Sequence, residues 1–77
     1  MKNIEVLGPG CTNCKVLYER TRDAAREMGL ECVIEKITDL HVIAGYRVMA
    51  TPALVVDGVV KSTGRVPSVE QIKELLG

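Results

Sequence analysis

At 77 residues the chain has room for one domain, and a domain this small buries only about 60% of its unfolded surface. Ten basic and ten acidic residues cancel, which leaves no net field to draw nucleic acid or an anionic membrane surface. Apolar residues reach 47% with no Trp or Phe and two Tyr, so disorder is excluded and the core falls to Val, Leu, Ile, Ala and Met.

The chain opens with "NIEVL" (3–7), a short β-favouring run that stops at Gly8-Pro9-Gly10. Two cysteines follow in "CTNC" (11–14). From Cys14 the apolar positions run Leu17, Tyr18, Thr21, Ala24, Ala25 and Met28, one face of a helix. Lys15, Glu19, Arg20, Arg22, Asp23, Arg26 and Glu27 cover the rest, and Gly29 stops it. "LECVIEKI" (30–37) reads as a strand, and Asp39 caps a short helix through about Tyr46. "PALVVDGVVKS" (52–62) carries Asp57-Gly58 between two Val pairs, a hairpin with a type I′ turn. Ser68 and Gln71 form a capping box opening a last helix with Val69, Ile72, Leu75 and Leu76 inward. The predicted order is β-α-β-α-β-β-α, over 1–77 as one domain.

"MKNIEVLG" holds no apolar stretch fit for a signal peptide or a membrane span, so the expected compartment is cytoplasmic. Three cysteines, an odd number, fit a secreted disulfide framework poorly. Where thiols are kept reduced, a Cys-x-x-Cys is redox-active or holds a metal. Cys11 lies at or just before the first helical turn, where unpaired N–H groups and the helix dipole stabilise a thiolate. Only the thiolate attacks a disulfide. That makes Cys11 the nucleophile. Cys14, one turn on and facing inward, is the thiol that resolves a mixed disulfide at Cys11.

The competing reading is a binding module in which the pair holds a soft metal or metalloid. A structural zinc site needs four ligands, and only Cys32 and His41 remain as candidates. Cys32 sits in a strand among apolar neighbours and reads as a small core hydrophobe; His41 reads as solvated. Neither forms a second ligand pair. Thr51-Pro52 opens the third strand, either as a plain edge-strand start or as a cis peptide.

"CTNC" after a first strand, with "TP" later opening a hairpin and a closing helix, resembles the thioredoxin/glutaredoxin superfamily. "EVLGPGCTNC", "EKITD", "VMATPALVVDG" and "STGRVPS" more narrowly resemble its small thioredoxin-like "redox-active disulfide protein 2" group, over nearly the whole chain. The resemblance implies an α/β thioredoxin-like fold: a four-stranded mixed sheet in order 2-1-3-4, helices on both faces, the third strand antiparallel to the first. It implies that Pro52 is cis and faces Cys11 and Cys14, with the Thr51 backbone pairing to an extended substrate segment. It also implies disulfide exchange with protein partners and re-reduction by a reductase such as a thioredoxin reductase, with no cofactor. A monomer is expected.

The chain departs from the family pattern in three places. Thr12-Asn13 lie between the cysteines, neither the Gly-Pro of thioredoxins nor the Pro-Tyr of glutaredoxins. Gly10 stands where thioredoxins carry Trp. "KSTGRVPS" lacks the Gly-Gly-x-Asp-like pattern that holds glutathione, which favours proteins as substrates. Glu5, six residues before Cys11, has two readings: a strand residue facing solvent, or the acid that in thioredoxins assists proton transfer from the resolving thiol.

Overall fold

The computed structural model describes residues 1–77. Its elements run β1 (Lys2–Leu7), α1 (Thr12–Glu27), β2 (Cys32–Ile37), α2 (Leu40–Gly45), β3 (Ala53–Val56), β4 (Val59–Thr63) and α3 (Val69–Leu76). The four strands form one sheet in the order β2-β1-β3-β4, as expected. β1 is parallel to β2 and antiparallel to β3, and β3 is antiparallel to β4. Leu7 at the end of β1 pairs with Ile37 at the end of β2 and with Ala53 at the start of β3. The end of β1, the end of β2 and the start of β3 therefore meet at one end of the sheet.

Two apolar layers flank the sheet. On one side Ile4, Val6, Leu54 and Val56 pack against Leu17, Ala24 and Ala25 of α1 and Ile72 and Leu76 of α3. On the other, Leu7, Ala53 and Val55 pack against Ile43 of α2. β3 is buried along its whole length because helices cover both of its faces. Lys73 pairs with Glu27 at 2.5 Å between α3 and α1, and the Arg20 guanidinium donates to the Val66 and Pro67 carbonyls.

Local signals placed most boundaries. Ser68 accepts from the Gln71 N–H at 3.2 Å while the Gln71 side chain accepts from the Ser68 N–H at 3.0 Å, closing the capping box. Asp39 caps α2 through the His41 N–H, at 2.8 Å. Asp57 (φ 49°) and Gly58 (φ 81°) take the two left-handed positions of the hairpin turn.

Two expectations need correction. Met28 does not face the core: it is the last cap of α1 and is 37% exposed. The strand after it begins at Cys32, not Leu30, because the Leu30 N–H is spent on Ala25 O (3.0 Å). With Gly29 N–H to Arg26 O, this completes a Schellman stop.

Candidate active site

The end of β1 sets the geometry. Gly8 N–H donates to Ile37 O at 2.9 Å, and Gly10 adopts a left-handed φ of 96° that redirects the chain into α1. Cys11 lands on the N-cap, extended and exposed, and its sulfur accepts the Cys14 N–H at 3.3 Å. A helix-start donor thus points at the Cys11 Sγ atom. Cys11 and Cys14 are joined as a disulfide with Cα atoms 5.1 Å apart. The two sulfurs are unequal: Cys14 lies on the buried face of α1 and is 6% exposed, while Cys11 faces solvent.

A residue outside the motif makes this possible. A Cβ on Gly8 would collide with the Cys14 sulfur, and would lie 3.1 Å from Cys14 Cβ and 3.9 Å from Pro52 Cα. The missing side chain is what lets α1 and the start of β3 close over β1. In sequence, Gly8 reads only as a strand breaker. The Thr51–Pro52 peptide is cis, with Pro52 buried and Thr51 exposed, and Pro52 O accepts from Gly64 N–H at 2.9 Å.

Glu5 matches neither of its sequence readings cleanly. It is half-buried and accepts a 2.5 Å hydrogen bond from the Tyr46 hydroxyl, just past α2. That bond, then burial, then the Glu5 charge push the Tyr46 phenol above 10.0. Glu5 alternates with Ile4 and Val6, so it projects toward the α2 side of the sheet while α1 carries Cys14 on the other. Tyr46 gave no signal in sequence as its partner.

Cys32 is a free, half-buried thiol packed against the larger apolar layer. It pairs with Lys2 at the end of the strands remote from Gly8 and Cys14. His41 is exposed on α2. No three His, Cys, Asp or Glu side chains come together, so the ligand set of the metal reading is not assembled and that reading is not favoured. Beside Cys14 opens a cleft of about 190 Å³, lined by Val6, Gly8, Gly10, Lys15, Lys36 and Thr38.

A bonded cysteine pair with one sulfur at a helix start and the other under it has one chemistry ready to hand, exchange of its S–S bond with that of another molecule. Fold and pair together define a thiol–disulfide oxidoreductase of the thioredoxin-like class. Residues 2–77 match the family model described as a thioredoxin domain. The chain is 41% identical over 76 residues to a thioredoxin of Methanothermobacter thermautotrophicus, covering 99% of each chain. It is also 41% identical over 73 residues to a thioredoxin of Methanocaldococcus jannaschii, covering 95% of this chain and 84% of that one. A probable thioredoxin of the first organism is 36% identical over 78 residues, covering 96% of this chain and 91% of the other. The chain belongs to the thioredoxin family. No helix is long and apolar enough to cross a membrane.

Proposed function

We propose that the protein reduces disulfides in other proteins, with Cys11 as nucleophile and Cys14 as resolving thiol. The observation that carries this reading is the Cys11 sulfur, exposed on the N-cap of α1 and receiving the Cys14 N–H at 3.3 Å. On reduction that donor and the helix dipole favour a thiolate at Cys11. The thiolate attacks a partner disulfide. Cys14 then attacks Cys11 in the mixed disulfide, forming the intramolecular bond and releasing the partner's second thiol.

Protein partners are favoured because relatives across nearly the full length are thioredoxins and because a glutathione-holding pattern is missing after β4. The exposed backbone of Thr51, beside the buried Pro52, offers an extended segment of the partner a place to pair. In this reading residues 1–77 act as one domain and one monomer in the cytoplasm, need no cofactor, and are re-reduced by a separate reductase such as a thioredoxin reductase.

Reduction of insulin disulfides by the dithiol form is the direct test. Cys11→Ser should be silent, and Cys14→Ser should accumulate a mixed disulfide through Cys11, seen by mass spectrometry. Iodoacetamide at about pH 6–7 should label Cys11 before the other thiols. First labelling at Cys14, or an adduct through Cys32, would reverse or abolish the assignment.

A further inference from the structure

The segment that carries Thr51 has few ties of its own. Residues 47–51 lead from α2 to Pro52, and no backbone–backbone hydrogen bond reaches residues 48–51. Arg47 leaves α2 with a left-handed φ of 59°, its N–H bonded to Ala44 O at 2.9 Å. Beyond it, Val48 packs against the layer of Leu7, Ile43, Ala53 and Val55. The Ala50 methyl takes the room that Gly64 leaves, 2.9 Å from where a Cβ on Gly64 would lie. Met49 and Thr51 are exposed. Apolar contacts of this kind give cohesion without direction.

The directional tie lies at the root of the segment. The Tyr46 hydroxyl donates to Glu5 Oε1 at 2.5 Å, across 41 positions of sequence. Glu5 is on β1, the strand that runs on through Gly8 to Cys11, and it pairs in register with Val55 of β3. It has no ion-pair partner, and Tyr46 is its one side-chain hydrogen bond. Glu35, beside it in register on β2, is exposed and carries the same charge. A hydrogen bond to an ionised carboxylate is short and directional. This one fastens the exit of α2 to the strand that delivers the nucleophile.

We infer that Tyr46 is a positioning residue for partner proteins: bonded to Glu5, it fixes where residues 48–51 present the Thr51 backbone relative to Cys11. This rests on the proposed pairing of a partner segment with Thr51. A small disulfide makes no use of that backbone and needs only the exposed Cys11 sulfur. Tyr46 takes no part in the exchange itself, since it packs on the α2 side of the sheet while Cys14 lies under α1 on the other.

The test compares insulin, reduced with dithiothreitol in excess, with dithiodipyridine, a small neutral disulfide. Tyr46→Phe keeps the ring and deletes the donor. It should raise KM for insulin about threefold to tenfold, the bias one hydrogen bond supplies, with kcat little changed. Its rate with dithiodipyridine should match that of the parent. Glu5→Gln keeps an acceptor for the hydroxyl and should hold KM within about twofold of the parent. Glu5→Leu should behave as Tyr46→Phe does, and the double variant should lose no more than either. Circular dichroism at the assay temperature checks that each variant is folded. A folded Tyr46→Phe protein with an unchanged KM for insulin overturns the role of Tyr46 alone, as do losses that add in the double variant. An equal loss with dithiodipyridine overturns it too, because the bond would then act on the thiols. If the parent itself reacts with dithiodipyridine but leaves insulin oxidised, the proposed substrate class falls, and this inference with it.

Discussion

Gly8→Ala is the perturbation that most directly probes how the site is closed. The added methyl lands on the Cys14 sulfur and 3.1 Å from Cys14 Cβ, with Pro52 Cα at 3.9 Å. Gly8 itself is buried and its N–H is bonded to Ile37 O, so the strand cannot step aside cheaply. Overpacking of this kind costs about 1–3 kcal/mol. The cost is not equal in the two redox forms. In the oxidised protein Cys14 is tethered to Cys11, whereas in the reduced protein its sulfur is free to rotate away from the methyl. The oxidised form should therefore lose more stability, which makes the pair easier to reduce. If the entire overpacking cost fell on the oxidised state, the potential would rise by about 20–65 mV, at about 30 mV per 1.4 kcal/mol for a two-electron couple. The 3.1 Å contact to Cys14 Cβ persists in both forms, so the measured shift should lie toward the lower end. Denaturant unfolding of both forms, together with equilibration in a glutathione redox buffer, measures both quantities. An Ala variant as stable as the parent in both forms, or one whose reduced form suffers more, would refute the packing argument.

The Tyr46–Glu5 bond predicts an alkaline weakness. The phenol is raised above 10.0 in the folded chain, so its stabilisation is complete below pH 10 and is lost as pH climbs through the folded value. Glu5→Gln should bring the Tyr46 ultraviolet titration back toward 10.0, and Tyr46→Phe should cost about 1 kcal/mol at neutral pH. A Tyr46 titration unmoved by Glu5→Gln would show that the hydrogen bond is not its cause. Cys32→Ala, remote from the pair, should cost up to about 1 kcal/mol of stability and leave insulin reduction intact; loss of activity in a folded variant would bring the third thiol into the chemistry.

Much of this protein is local, and local features are legible in sequence. The turn at Asp57-Gly58, the Asp39 cap and the Ser68–Gln71 capping box each depend on residues within a few positions of one another, and each took the form its residues demand. The inequality of the two cysteines is local as well, since a helix start and a 3.6-residue period place Cys11 outside and Cys14 inside. Strand order is not a local property. It was legible here only through resemblance to a family, as was the cis bond at Pro52. The Gly8 contact needs β1 to pair with β3 and α1 to dock over both, bringing residues 8, 14 and 52 together. The Tyr46–Glu5 bond spans 41 positions, and Lys36 reaches Tyr18 only because β2 lies parallel to β1 under α1. Met28 kept the helical period yet turned to solvent, because the chain had already begun its stop. Periodicity reports which face of an element is apolar. Which side chains meet across that face is decided by register and docking, and these are set by the packing of the whole chain at once.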